Sequence, residues 1–492
     1  MTADPHWNFA ARIVERMGAC ACLIDAATGK ATSPGDLPPL VRAHAASLIS
    51  AGLTKGDRIL IGCTISPPSA LVYLGAIYAG LVAVPVEERS LTDRAAQLLQ
   101  ATGAKAAWTE AGLQKARLPP QSVIRLKGNL SKAGMADRPP AACGPSDLAA
   151  LMATSGSTGT PRFVMVSHQN LIANTEAIIR SQGLSADERA MLVLPLSYCF
   201  GASILHTHLY QGGSIVFDRR FMFPDKVLDA INQYECTTFA GVPTAYNTLL
   251  RRSKLSKVKL PSLRRFLQAG GALAAERITE IRTSARGPKF YVMYGQTEGT
   301  ARISCLAPED LGRKLGSVGR PLDNLTVRIA DDLNLSLPKG HVGEIQVKGP
   351  SVTLGYLNQL EATRSVFQDG WLRTGDLGHL DDEGFLWIDG RKGLFVKMRG
   401  VRVSFAEIED RVAAIPGVYE CAATAVPHPE SGEAFALFIV PEEGAGDVIS
   451  DVRRSLPPYW TCESLQIVPE IPKSMSGKVL RTSLPLGQTE SQ

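Results

Sequence analysis

The chain has 492 residues, 45% of them apolar, and its 52 Lys and Arg against 47 Asp and Glu leave a formal charge of +5. That length exceeds one ordinary hydrophobic core and implies two or more domains. So small a charge, without a long block of Lys or Arg, gives no footing for nucleic acid, and the most basic run, RRSKLSKVK at 251–259, reads as a solvated loop face.

The opening segment, MTADPHWNFAARIVER, carries an acid early and no apolar run, so it is not expected to act as a secretory signal. Nine cysteines are an odd number, scattered without the short paired spacings of zinc sites; Cys20-Ala-Cys22 is one residue short of CxxC. They read as reduced thiols acting as small core residues in a cytoplasmic protein. The uncharged window 63–86 is long enough to span a bilayer. Pro67, Pro68, Gly80 and Pro85 divide it instead into a strand end, a helix over SALVYLGAIYAG and a strand over LVAVPV, a βαβ unit with a buried helix and no membrane span.

Next comes MATSGSTGTPRFVMVSH, 152–168. It lacks the GxxxxGK[ST] of a Walker loop and the GxGxxG of a dinucleotide site. Strand-like runs flank it on both sides, so the spacing predicts a hairpin loop. Its backbone N–H groups and the hydroxyls of Thr154, Ser155, Ser157 and Thr158, between Gly156 and Gly159, can wrap a polyphosphate, and Arg162 adds charge-assisted bonds.

Strand-like AMLVLPL (190–196), GSIVFD (213–218), TTFAGVP (237–243), RRFLQAGG (264–271) and KFYVMYG (289–295) alternate with the helical VLDAINQY and PTAYNTLL. That order predicts an α/β domain rich in parallel sheet. From about 316 the pattern changes to short strands and turns: LTVRIADD, GEIQVKG, GFLWIDG. After the cationic, glycine-rich DGRKGLFVKMRG (389–400), SFAEIEDRVAAIPGV reads as a helix capped near Ser404 and stopped at Pro416-Gly417. Strands at YECAATAVPH and EAFALFIVP, a short helix at GDVISDVRRSL and a polar end follow. The expected division is 1–389 with a β-rich subdomain over about 316–389, a junction at 390–393, and a small α+β domain over 394–492.

TSGSTGTPR closely resembles the phosphate loop of the adenylate-forming superfamily, which includes acyl- and aryl-CoA synthetases, peptide-synthetase adenylation domains and luciferase-type enzymes. The resemblance recurs in order at GVPT (241–244), QAGGA (268–272), YGQTEG (294–299), GWLRTGDLG (370–378), GRKGLFVKMRGVRVSFAEIE (390–409) and PKSMSGKVLR (472–481). It implies ATP-dependent activation of an organic carboxylic acid to an acyl-adenylate with release of pyrophosphate, then transfer to a thiol. Coenzyme A is the implied acceptor. The phosphopantetheine arm of an acyl carrier protein and other nucleophiles are the alternatives.

The resemblance assigns Glu298 to Mg²⁺, Thr297 to the α-phosphate and Tyr294, beside Gly295, to the adenine. Gly270, Gly271 and Ala272 border the nucleotide, and Asp376 with Arg391 takes the ribose. Lys478, on a mobile C-terminal domain, bridges carboxylate and α-phosphate. Lys397, Gly400 and Arg402 line the thiol path after a rotation at Gly393. Three positions depart from the family: Arg162 for Lys, Gly393 for Asp or Lys, and Tyr198 for His. Tyr198 reads equally as a phenol at the acyl gate or as core packing.

The substrate pocket is expected around Tyr198, Phe200, Gly201, Ser203 and Gly241. Gly201 stands where amino-acid-activating relatives place an Asp, which argues against an α-amino acid and for an aryl or short-to-medium acyl acid. Glycines at 201, 241, 270 and 271 are expected to leave room beside it. Arg302 could meet a second substrate carboxylate, but a structural ion pair is the preferred expectation. A non-catalytic paralogue is the reading from another class, and the intact Glu298, Asp376 and Lys478 argue against it.

Overall fold

The computed structural model describes residues 5–18, 21–33, 35–112, 123–130, 138–154, 162–392, 394–398, 401–429, 432–458, 460–473 and 479–486, with the backbone alone at Lys397, Val401, Arg402, Ala406 and Gly432. The fold is α/β: two large, mostly parallel sheets and a smaller antiparallel sheet, followed by a compact C-terminal unit with a sheet of its own.

The expected βαβ unit opens the first sheet. Strand Arg58–Cys63 leads through helix Pro67–Tyr78 to strand Val82–Glu87. Proline in the helix's first turn loses no hydrogen bond there, and Gly80, at φ +74°, turns the chain out of it. Every residue from Ser69 to Tyr78 is buried, so the apolar window is a helix packed on all sides. No described helix is long and apolar enough to cross a membrane. The sheet runs Ile124–Lys127, Ala106–Thr109, Arg58–Cys63, Val82–Glu87, Leu148–Thr154, Arg162–Ser167, and only its last pair is antiparallel.

The second sheet has eight strands, in the order Leu23–Asp25, Ser214–Phe217, Arg189–Leu192, Thr238–Gly241, Arg265–Gln268, Lys289–Tyr294, Ser304–Leu306, Arg320–Pro321. Its first six strands are parallel, as the strand–helix alternation predicts. The strand expected over 190–196 stops at Leu192; Pro195, with no N–H to give to a ladder, lies outside the sheet. Helix Cys199–Tyr210 follows with all its residues buried.

The third sheet is antiparallel and gathers Thr326–Ala330, Gly343–Lys348, Trp371–Leu380, Phe367–Gln368 and Leu386–Arg391. The Thr-Gly-Asp segment lies inside strand Trp371–Leu380. Gly375, at φ +73°, marks an irregularity of register there, as a bulge does when it re-aims one side chain.

The chain leaves that sheet at Arg391 and starts a new one at Phe395. The C-terminal sheet joins Val401–Ser404, Phe395–Met398, Gly432–Pro441, Val418–His428 and Cys462–Ile467. The last of these pairs parallel to Gly432–Pro441, where the sequence suggested only a polar end. Helix Phe405–Ala413 begins where expected, with the Ser404 hydroxyl accepting the Glu407 N–H at 3.1 Å. The C-terminal unit has its own apolar core around Val396, Ile408, Phe435 and Leu437.

The basic run at 251–259 is not a purely solvated face. Arg251 pairs with Glu280 at 2.9 Å and with Glu442 of the C-terminal unit at 3.0 Å, and Arg252 lies 5.1 Å over the Tyr419 ring. Six of the eight described cysteines are buried.

Candidate active site

The glycine-rich segment is carried by a hairpin. Thr154 and Arg162 are cross-strand partners, and Thr154 Oγ1 donates to the Arg162 carbonyl at 3.5 Å. Ser155, Gly156, Ser157, Thr158 and Gly159 lie outside the described residues. The hairpin's outer strand is clipped to segment 354–357 by Met165 N–H to Gly355 O (2.8 Å) and Leu357 N–H to Phe163 O (2.8 Å). This clip brings Tyr356 beneath the Arg162 guanidinium, 5.6 Å from its ring.

Tyr356, which the sequence reading missed, donates its hydroxyl to Glu298 Oε1 at 2.7 Å. Burial, with the Glu298 charge beside it, pushes the phenol's pKa well up, so it stays a donor. No other hydrogen bond reaches the Glu298 carboxylate among the described residues, and a carboxylate oxygen left open in this way suits a hard cation such as Mg²⁺. Tyr356 follows Gly355, whose φ of +106° turns the chain there; the sequence carries only an adjacent Gly-Tyr pair, which does not point to Glu298.

Tyr294 ends its parallel strand and donates to Asp376 Oδ2 at 2.6 Å. Arg391 Nε lies 3.6 Å from Asp376 Oδ1, and the two residues are cross-strand partners. The bulge at Gly375 turns Asp376 toward Tyr294, and the Thr374 hydroxyl accepts the Asp376 N–H at 3.1 Å. Three residues separated by up to 97 positions thus form one polar cluster. Burial, then the Asp376 charge, raises the Tyr294 pKa well above its usual value.

Thr297 donates to Cys199 Sγ at 3.6 Å. The chain then doubles back: Ala301 N–H bonds Gly299 O at 2.9 Å around Thr300, whose φ of +70° and ψ of −56° define a γ-turn. A β-branched residue in that conformation is strained. It is held there by Thr300 Oγ1 donating to Ser351 O at 2.6 Å. A Cβ on Gly295 would fall 2.0 Å from the Ala301 carbonyl oxygen, so only glycine admits this reversal.

The reversal drives Arg302 into the interior, where it is 1% exposed. Its backbone is gripped from both sides by Asn174, at 2.8 and 3.2 Å. Its guanidinium stacks 4.7 Å from the centre of the Phe200 ring, while Nε and Nη2 are buried without a hydrogen-bond partner. The structural ion pair expected for Arg302 is therefore corrected: no carboxylate pairs with it among the described residues. The groups facing it are Cys305, Cys199 and Tyr198.

The expectation of free room at the glycines is also corrected. A Cβ on Gly201 would meet the Pro195 carbonyl oxygen at 2.3 Å, and one on Gly270 the Tyr198 hydroxyl at 2.5 Å. A Cβ on Gly241 would meet Phe239, Ala245 and Tyr246 at 3.1–3.2 Å, and one on Gly271 would meet Pro243 at 3.3 Å. These glycines admit close neighbours instead of leaving open volume. Gly270, at φ +89°, ends a strand whose Gln268 side chain bonds the Gly271 carbonyl at 2.7 Å, with Ala272 next along. Tyr198, Phe200 and Ser203 share one helix start, with Tyr198 and Phe200 edge to face.

Lys478, Gly393 and Gly400 lie outside the described residues. On the described residues to either side, Lys473 pairs with Glu420 at 2.6 Å and Arg481 with Glu409 at 2.5 Å. Burial raises the Glu409 carboxyl to about 7 against the opposing pull of Arg481. Lys397 and Arg402 are backbone partners in the hairpin that opens the C-terminal sheet.

The family pattern described as AMP-binding enzyme matches residues 11–357, and the AMP-binding enzyme C-terminal domain matches 407–478. A feruloyl-CoA synthase from Amycolatopsis sp is 32% identical over 471 residues, covering 92% of this chain and 93% of the relative. ATP-bound MatB from Rhodopseudomonas palustris shares the fold at a TM-score of 0.86 and 28% identity, covering 97% of both chains. The o-succinylbenzoate CoA synthetase of Bacillus subtilis, solved with its acyl-adenylate intermediate, gives a TM-score of 0.86 at 26% identity over 99% of both. The chain belongs to the AMP-binding enzymes of the adenylate-forming superfamily, as an AMP-forming acid–thiol ligase of the CoA synthetase type.

Proposed function

We propose that the two polar clusters on either side of the Thr297 loop are the nucleotide end of the site, and that the helix bearing Phe200 and Ser203 forms its acyl end. The observation that carries this reading is the convergence of Tyr294, Asp376 and Arg391 with the Arg162–Tyr356–Glu298 set around one loop. Asp376, oriented by the Tyr294 hydroxyl, accepts the ribose hydroxyls beside Arg391, and the Tyr294 ring offers a face to the adenine. Arg162 and the hairpin tip hold the β- and γ-phosphates. Arg162 stacks on Tyr356, so its fork is aimed where a lysine would be a mobile point charge.

Glu298, positioned by Tyr356, holds Mg²⁺, which when bound would neutralise charge on the phosphates. Thr297 donates to the α-phosphate as the carboxylate oxygen attacks it and pyrophosphate leaves. Lys478 stabilises the charge that develops there. A rotation within 390–393 then exchanges the Lys478 segment for the Lys397–Arg402 hairpin, and the coenzyme A thiol displaces AMP. The sheet change between Arg391 and Phe395 supports a division two residues beyond the expected 389/390, inside the same short junction. A cytoplasmic setting fits the buried thiols.

The test is ATP–pyrophosphate exchange over a panel of carboxylic acids. It is repeated with coenzyme A and with a phosphopantetheinylated carrier protein, reading the product by mass spectrometry. Exchange with at least one acid, and a thioester with coenzyme A, is expected. No exchange with any acid from folded protein would sink the reading.

A further inference from the structure

Arg302 is a cation that the fold has gone to some length to bury. The strained turn at Thr300, the contact that only Gly295 permits and the two-sided grip of Asn174 fix its position. None of them gives the guanidinium a counter-charge. Burial lowers its pKa, yet an arginine starts so high that it remains charged. Its neighbours stay neutral: burial holds the Cys305 thiol up at about 12 and pushes the Tyr198 phenol well above its ordinary value.

The Phe200 face supplies cation–π attraction on one side, and the three N–H groups on Nε and Nη2 find no acceptor among the described residues. An uncompensated buried charge is strongly unfavourable, so a chain that positions one firmly implies an anion that arrives from outside. The place is the acyl end: Phe200 adjoins Cys199, which bonds Thr297, and Tyr198 closes the same helix start against Gly270.

We propose that Arg302 is the counter-charge for a second carboxylate on the acid, so that this enzyme activates dicarboxylic acids. The inference rests on the adenylation reading above. One carboxylate attacks the α-phosphorus, loses pyrophosphate to form the adenylate and passes to the thiol with release of AMP. The other stays ionised on the guanidinium and is unchanged in the product. A monoacid of the same shape leaves Arg302 as it was and gains nothing from it.

The test compares matched pairs in pyrophosphate exchange: glutarate with pentanoate, adipate with hexanoate, phthalate with benzoate, 3-carboxycinnamate with cinnamate. In at least one pair the diacid is expected to have a kcat/KM about 10²-fold or more above its partner, because a buried site built for a polar group rejects the analogue lacking it. Arg302→Met should remove that preference through the KM for the diacid, leaving the KM for ATP unchanged. Arg302→Lys should restore part of it.

Exchange in which the monoacid equals or exceeds the diacid in every pair would overturn the proposal while leaving the adenylation reading intact. So would an Arg302→Met protein that loses both members of a pair equally. No exchange with any acid would overturn the adenylation reading, and this proposal with it. The wild-type comparison decides the matter by itself should the Met variant fail to fold.

Discussion

The nucleotide end and the acyl end of this site are built on opposite principles. At the nucleotide end the side chains hold one another within the protein, Tyr294 to Asp376, Asp376 to Arg391, Tyr356 to Glu298 and Arg162 to the Tyr356 ring, with one Glu298 oxygen left for the cation. At the acyl end a buried guanidinium rests on an aromatic face with two of its nitrogens unmatched. A site that is already satisfied holds its geometry before the ligand arrives and serves the same cosubstrate in every turnover. A site left unsatisfied selects, because the ligand must complete it.

The largest expected effect tests whether the chemistry is shared between the main body and the C-terminal unit. Lys478→Ala should cost about 10²–10³-fold or more in adenylate formation, the scale for removing a donor from developing charge. Thioester formation from a supplied acyl-adenylate should stay largely intact; equal loss of both steps would break the two-conformation assignment. Next, Asp376→Asn should raise the KM for ATP by about tenfold, roughly 1.4 kcal/mol, and leave selectivity among acids untouched. A change in acid selectivity would show that the two ends are not separable.

Acid should separate them further. The helix that carries Phe200 and Ser203 also carries His206 and His208, and it packs near His168. Burial lowers these three to about 3, 4 and 4. His168 accepts the Phe9 N–H on Nδ1 at 3.1 Å, as a neutral ring must. Their folded pKa values lie below the unfolded value near 6.5, so their contribution is present above pH 6.5 and is lost as pH falls toward 4. Denaturation midpoints should drop over that window with a slope of up to about 1.4 kcal/mol per pH unit for each histidine. His206→Phe should flatten it. An unchanged slope would show that His206 is not buried neutral.

The smallest effect is Tyr356→Phe, which removes one hydrogen bond from a half-buried carboxylate, about 1 kcal/mol. Its signature should be a higher Mg²⁺ requirement for exchange, with acid preference unaltered.

Much of the nucleotide end could be read from the sequence, because it is encoded in contiguous motifs whose spacing survives folding. Tyr356 could not, since its role arises from a backbone clip between strands almost 200 positions apart. The bulge at the Thr-Gly-Asp segment was hidden as well, because it arises from strand pairing on both sides that no local motif specifies. The room expected at Gly201 and Gly270 could not be judged either, as a missing Cβ in the sequence does not say what fills its place. For Arg302 the sequence preferred an ion pair because buried arginines are normally paired; the absence of a partner is a property of the packed interior alone.

The cross-strand match of Asp376 with Arg391 has a mechanical consequence. With the pivot at 390–393, as proposed, the ribose contact stands at the fulcrum of the moving unit. A small change of angle beside the nucleotide is then magnified into a longer sweep across the C-terminal sheet. Sensing and leverage would be joined in two adjacent residues, so a spectroscopic distance probe on the C-terminal unit would register nucleotide departure with high gain.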